Sequence, residues 1–164
     1  MSAQRILVRG VNWLGDAVMS TPALLRLRQA RPQAHITLLT LDKLADLWRH
    51  HPAIDTVITF TRNDAVWQVA RRLRSEQFHW AVVLPNSWRS ALEVWLARIP
   101  QRLGYAGQGR GTLLTQAIKP RPGAVRMRKR SASEIRALIR RPESQSSPGH
   151  DSAAHHIHQY LHLA

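Results

Sequence analysis

The sequence contains no cysteine, which removes a disulfide framework, a thiolate metal site and a cysteine nucleophile together. It also lacks any run approaching the roughly 20 apolar residues of a membrane span. The amino terminus passes from Met-Ser-Ala-Gln-Arg directly into Ile6-Leu7-Val8, without the charged and apolar regions of a signal peptide. These absences speak against a secreted or integral-membrane chain, and the missing cysteines fit a reducing compartment. Acidic residues are scarce as well: 10 Asp+Glu stand against 24 Lys+Arg, a formal net charge of +14. A surface of that sign attracts phosphates, anionic lipid or nucleic acid without choosing among them.

What is present suffices for a core. Hydrophobic residues make up 44% of the 164 positions, enough for one ordinary domain with an appended tail. Up to about residue 118 short β-branched runs alternate with amphipathic stretches. Arg5–Arg9, His35–Leu39, Thr56–Phe60 and Trp80–Leu84 read as strands. Pro22–Ala30, Asp42–His50 (opened by a capping Asp), Asp64–Ser75 and Ser87–Ala97 read as helices. Strands alternating with helices at this spacing predict βαβ units and a Rossmann-like, doubly wound parallel sheet of the α/β class over residues 1–118. Residues 119–150 read as a basic connector, Pro/Ser-rich over Arg141–Gly149. It carries a short helix, Ser131–Arg140, whose Ser131 and Glu134 have capping-box spacing. A His-rich helix is expected within residues 151–164, over Ala153–Ala164.

In an open parallel sheet ligands bind beyond the carboxyl ends of the strands. Three loops there carry chemistry. The first, Gly10-Val11-Asn12-Trp13-Leu14-Gly15-Asp16, has Asn12 where the dinucleotide fingerprint needs its middle glycine, and it lacks the Gly-Lys-Ser/Thr ending of a P-loop. It does carry a carboxylate, Asp16, at the mouth of a helix. Asp16 reads either as a helix-terminal acid favoured by the helix dipole or as a general base accepting a proton from an attacking hydroxyl. The helix terminus keeps it ionised and makes it a weak base, which suits glycosyl transfer, where the leaving group departs early. The second loop, Phe60–Asp64, offers Arg62. The third, Leu84–Ser90, offers Asn86, Ser87 and Arg89. Asn and Ser before a helix are ordinary caps, whereas Arg62 and Arg89 are not needed as caps and suit a phosphorylated or polyhydroxylated ligand. Trp13 and Trp88 could stack on a sugar ring; Trp48, Trp67, Trp80 and Trp95 read as packing.

The segment Arg5-Ile-Leu-Val-Arg-Gly-Val-Asn-Trp-Leu-Gly-Asp-Ala-Val-Met-Ser-Thr-Pro-Ala-Leu24 resembles the opening of the glycosyltransferase 9 family, the ADP-heptose:lipopolysaccharide heptosyltransferases. Leu84-Pro-Asn-Ser-Trp-Arg-Ser-Ala91 and Ile99-Pro-Gln-Arg-Leu-Gly-Tyr105 resemble the same family, most closely its heptosyltransferase II branch. The resemblance implies a GT-B fold, two Rossmann-like domains facing across a cleft. In it the N-terminal domain takes the inner-core glycolipid on lipid A and the C-terminal domain takes ADP-heptose. It implies an inverting transfer with Asp16 as base, acceptor contacts from Asn12, Trp13, Gly15, Arg62, Asn86, Ser87 and Arg89, and no resident cofactor or metal. It further implies a cytoplasmic protein, peripheral on the inner membrane.

Nothing after residue 118 resembles the family's second domain. The resemblance therefore describes an N-terminal half, whose other half is missing or supplied by another chain or by self-association. The rival readings are a non-catalytic glycolipid- or partner-binding half-enzyme and a basic nucleic-acid-binding protein. The run Arg126-Met-Arg-Lys-Arg130 is the only feature offered to nucleic acid, and no recognition motif accompanies it, so no nucleic-acid partner is expected. His155, His156, His158 and His162 cluster near the end, with 158 and 162 at i,i+4 spacing. No adjacent acidic residue completes a metal set, and a solvated helix, or one packing on the missing domain as the start of an inter-domain linker, is expected.

Overall fold

The computed structural model describes residues 4–107, 109–121, 133, 136 and 156–164. Six strands, β1 (Arg5–Arg9), β2 (His35–Leu41), β3 (Thr56–Phe60), β4 (Trp80–Val83), β5 (Gln101–Tyr105) and β6 (Gln116–Ile118), form one sheet in the order β3-β2-β1-β4-β5-β6. Every pairing is parallel, with Arg5 opposite His35 on one side of β1 and Ile6 opposite Trp80 on the other. The helices are α1 (Leu14–Ala30), α2 (Ala45–Trp48), α3 (Val66–Ser75), α4 (Trp88–Leu96) and α5 (Ile157–Leu163).

The chain moves outward from β1 to β3, returns to the other side of β1 as β4, and moves outward again to β6. The switch point therefore lies between β1 and β4, where two loops leave the sheet in opposite directions and open a crevice. Right-handed crossovers put α1 and α4 on opposite faces. In agreement, α3 packs on α4, and α5 packs on α1 and β5. The central strands are covered on both faces: Ile6, Leu7, Val8, Ile36, Leu38, Leu39, Ala81, Val82 and Val83 are all buried. That is why they read as continuous apolar runs and not as alternating ones. The doubly wound α/β architecture is the one the strand–helix alternation predicts.

Several boundaries differ from the sequence reading. α1 begins at Leu14 and carries Pro22 in its interior, where Pro22 was expected to start the helix. Pro22 cannot donate to the preceding turn, but Ala17, Ser20, Ala23, Leu24 and Leu27 are buried along one side, and that packing carries the helix through it. The expected helix over Asp42–His50 divides into a 3₁₀ turn, Asp42–Leu44, and one α-turn, and Asp42 makes no capping bond. The third helix starts at Val66. Asp64 instead closes a turn by accepting from the Thr61 N–H at 3.0 Å and its hydroxyl at 2.9 Å, and Gln68 accepts from the Ala65 N–H at 2.9 Å. Strands β5 and β6 are additions. Gln101–Tyr105 and Gln116–Ile118 carry too few apolar residues to stand out, and they pair because β4 offers a free edge. Trp48 is buried, but Trp67 and Trp95 are 60% and 46% exposed and belong to the surface, not to the packing expected of them.

α5 occupies Ile157–Leu163, within the terminal helix expected from residue 153. Of the expected helix over Ser131–Arg140, Ser133 and Arg136 are described and both are helical. The Ser131–Glu134 capping box, the basic run Arg126–Arg130, the segment Arg141–Gly149 and His155 lie outside the described residues. No helix among the described residues is long and apolar enough to cross a membrane.

Candidate functional site

The crevice between β1 and β4 rests on a buried ion network. Arg9, the last residue of β1, is 1% exposed and donates through Nε to Glu93 of α4 at 2.8 Å. Burial pushes the Arg9 guanidinium below the ordinary arginine range, and the Glu93 carboxylate opposes that shift. Arg9 also donates to the Gly10 carbonyl at 2.6 Å and to Asn12 Oδ1 at 2.9 Å, and it lies 4.4 Å from the centre of the Phe60 ring. The second oxygen of Glu93 accepts from Arg89 Nε at 3.0 Å, and Arg89 Nη2 reaches the Asp64 carbonyl at 2.5 Å. One chain of charge-assisted bonds thus ties the loops after β1, β3 and β4 together (Asn12, Arg9, Glu93, Arg89, Asp64).

A second buried cation fixes the loop after β4. Arg110, wholly buried in the 3₁₀ turn Arg110–Leu113, donates to the carbonyls of Tyr105, Pro85 and Ser87 and to Asn86 Oδ1. Gly10 at the mouth of β1 leaves little room for a side chain. A Cβ there would stand 3.1 Å from both the Leu39 carbonyl oxygen and Leu38 Cδ1.

The residues singled out by sequence divide accordingly. Asn12 is half-buried and committed to Arg9. Ser87 caps α4, its hydroxyl accepting from the Ser90 N–H at 3.2 Å. Asn86 is exposed and bonded to Arg110 at 3.3 Å, and Arg89 is committed to Glu93 and Asp64. Trp13, Gly15 and Arg62 behave differently. Trp13 is 65% exposed at the start of α1, and Arg62 stands over its ring at 5.7 Å, so the loops after β1 and β3 meet at this pair. Gly15 is exposed, and a Cβ on it would meet no atom within 4 Å.

Asp16 lies in the first turn of α1, where the helix field favours its charge. No side-chain capping bond is made at Trp13. Its partner comes from the far end of the sequence. His156 Nδ1 is 3.5 Å from Asp16 Oδ1, and the buried Tyr160, one turn further along the same helix, packs edge-on to the His156 ring at 5.8 Å. Burial first, then the nearby Asp16 charge, push the Tyr160 hydroxyl far above the ordinary tyrosine range. Among the described residues Asp16 has no hydrogen bond or ion pair with Arg62, Asn86, Ser87 or Arg89.

Arg9, Glu93, Arg110, His156 and Tyr160 are the functional neighbours that sequence reasoning missed. A signal existed for two of them. Arg9 and Glu93 are charges in otherwise apolar segments.

Residues 66–132 match the family model described as glycosyltransferase family 9 (heptosyltransferase). The lipooligosaccharide heptosyltransferase 2 of Haemophilus ducreyi is 34% identical over 116 residues, 67% of this chain and 33% of that protein. The lipopolysaccharide heptosyltransferase 2 of Escherichia coli K12 is 36% identical over 117 residues, again 67% of this chain and 33% of that protein. Among solved structures, the ADP-heptose lipopolysaccharide heptosyltransferase II of E. coli superposes with a TM-score of 0.67 at 31% identity, covering 74% of this chain and 36% of that one. The chain therefore spans about a third of the length of the curated relatives it matches.

Proposed function

We propose that this chain, which is similar to glycosyltransferase family 9 over residues 66–132 and to heptosyltransferases 2 over two thirds of its length, is the acceptor-side domain of a heptosyltransferase of lipopolysaccharide assembly. Its work is to hold a heptosylated, Kdo-bearing lipid A core and to deprotonate the hydroxyl that attacks ADP-heptose. The observation that carries this reading is the position of Asp16, a carboxylate in the first turn of α1 at the crevice between β1 and β4. Beside it stand an exposed Trp–Arg pair and a glycine open to close approach.

In the reaction the acceptor O–H bond breaks as its oxygen bonds to the anomeric carbon of the heptose. The bond from that carbon to the pyrophosphate oxygen breaks on the opposite side, and ADP leaves with the electron pair. The proton passes to Asp16. A carboxylate is a weak base toward a hydroxyl, and it suffices because the hydroxyl becomes acidic only as the leaving group departs. Attack opposite the leaving group inverts the anomeric centre. Trp13 presents a face on which a sugar ring stacks, and Arg62 pairs with acceptor phosphate or carboxylate. Donor binding falls to residues outside this crevice, on the same chain's family-typical second half or on a second chain. The net charge of +14 suits a cytoplasmic protein working against an anionic membrane that carries its acceptor.

The experiment is a transfer assay with ADP-heptose and heptosyl-Kdo-lipid A on this chain and on Asp16→Ala, with acceptor binding measured in parallel by calorimetry. Turnover reduced about 10²- to 10⁴-fold in the variant, at unchanged folding, is the expected result for loss of a general base. Acceptor binding without turnover would make the chain a binding half-enzyme. Absence of both would leave the likeness as one of fold.

A further inference from the structure

We propose that the outward sides of α4 and α3 form the surface by which the domain rests on an anionic lipid bilayer. α4 buries Ser90, Ala91, Glu93 and Val94 against the domain. Its other side presents Trp88, Leu92, Trp95 and Leu96, at i, i+4, i+7 and i+8. Trp88 and Trp95 are 47% and 46% exposed, Leu96 is exposed and Leu92 is half-buried. A helix apolar on both sides is ordinarily covered on both, and among the described residues the second side of α4 has no cover. α3, which packs on α4, extends the surface with Trp67, 60% exposed.

Charge chooses the occupant. α3 carries Arg71, Arg72 and Arg74 and no acid, and the single acid of α4, Glu93, is buried between Arg9 and Arg89. Arg98 follows α4 directly and is exposed. Among the described residues Arg71, Arg74 and Arg98 have no ion pair. A second copy of this chain seated on the stripe across a two-fold axis would bring these arginines against their own equivalents, an unfavourable pairing. An anionic bilayer answers both parts of the pattern. The tryptophan rings and leucines enter the boundary between headgroups and acyl chains, and the guanidinium groups stay at the phosphates. Trp88 and Trp95 stand two turns apart, about 10 Å along the axis, so α4 lies along the membrane plane and does not enter end-on. The choice of a membrane as the anionic partner rests on the glycolipid acceptor proposed above, which is presented there.

The test is flotation of the full chain with two kinds of vesicle, phosphatidylcholine alone and an equal mixture with phosphatidylglycerol. The unmodified chain should bind the mixed vesicles and not the neutral ones. Trp95→Gln should weaken that binding about tenfold through lost apolar area. Arg71→Gln and Arg74→Gln should weaken it about fivefold each. Leu25→Gln, an exposed apolar position of α1 on the opposite face, should bind as the unmodified chain does. All four positions are exposed, so folding is not at stake, and urea midpoints check this. The vesicles hold no acceptor, so Asp16→Ala should also bind unchanged, and failure of Asp16 as the base would leave this result untouched. Failure of the unmodified chain to bind mixed vesicles overturns the proposal. Equal binding by Trp95→Gln and the unmodified chain also overturns it, since attraction would then come from diffuse charge. A chain that sediments as a dimer, and as a monomer in Trp95→Gln, would give the stripe to a second copy instead.

Discussion

The loops after β1 and β4 face each other across the switch point and look alike in composition. Each places asparagine, tryptophan and a charged residue at the mouth of a helix. They differ in what their polar groups already do. In the loop after β4, Ser87 caps α4, Asn86 answers Arg110, and Arg89 is held by Glu93 and by the Asp64 carbonyl. In the loop after β1, Asn12 is committed to Arg9 and Asp16 keeps one partner, His156 of α5, at 3.5 Å, while Trp13 and Gly15 face outward. Residue type at a strand end is therefore a weak guide to ligand contact. The better guide is whether a group's bonding capacity is already filled from within the fold.

The largest effect that comparison predicts belongs to the shared support under both loops. Removing the carboxylate in Glu93→Ala strands a guanidinium that is 1% exposed and releases Arg89 at the same time. Breaking a buried pair from one side costs about 3–5 kcal/mol, so the variant should lose a large part of its stability in urea denaturation. Full stability in that variant would mean that the network does not hold the loops, and the contrast between them would lose its physical basis.

The two arginines offer the next test. Sequence alone treats Arg62 and Arg89 alike, as cations at strand ends that no helix requires for capping. In the structure Arg89 is a bridge and Arg62 an exposed group over Trp13. Arg89→Ala should lower stability by about 1 kcal/mol, the value of a bond to a charged partner discounted for partial exposure. Arg62→Ala should leave stability within about 0.5 kcal/mol and weaken acceptor binding about tenfold through a lost charge-assisted contact. Urea curves and calorimetry on the pair separate the roles, and equal behaviour of the two would erase the distinction.

This pair also shows how far the sequence could be read. The alternation of β-branched runs and amphipathic stretches is a local signal, so the strands β1 to β4, the parallel sheet and the three ligand-side loops were legible. β5 and β6 were not, because Gln101-Arg-Leu-Gly-Tyr105 and Gln116-Ala-Ile118 are strands by virtue of the edge they meet and not by their own pattern. The long reach of α1 through Pro22 was hidden for a related reason: proline is a local stop sign, and burial of Leu24 and Leu27 overrides it. At the site, Asp16 could be located but its partner could not. His156 meets it across more than a hundred residues of chain, and spacing carries no signal over that distance.

The smallest effect is the sharpest, because it carries two signs. Gly15 occupies the first turn of α1 in an ordinary helical setting, and a Cβ there would enter open space. On stability grounds alone alanine is the better residue, worth about 0.5–1 kcal/mol within a helix because glycine loses more backbone freedom on folding. Gly15→Ala should therefore raise the denaturation midpoint slightly. If the open space beside Gly15 is where the acceptor comes close to the backbone of α1, the same methyl group should lower acceptor affinity. Gly10 gives the opposite pairing: alanine there collides with the Leu39 carbonyl and costs stability first. A more stable Gly15→Ala chain with weakened acceptor binding would separate the two glycines of one loop, one kept for packing and one for a ligand. A more stable chain with unchanged binding would move the acceptor away from α1 and toward the loop after β4, against the division of roles argued above.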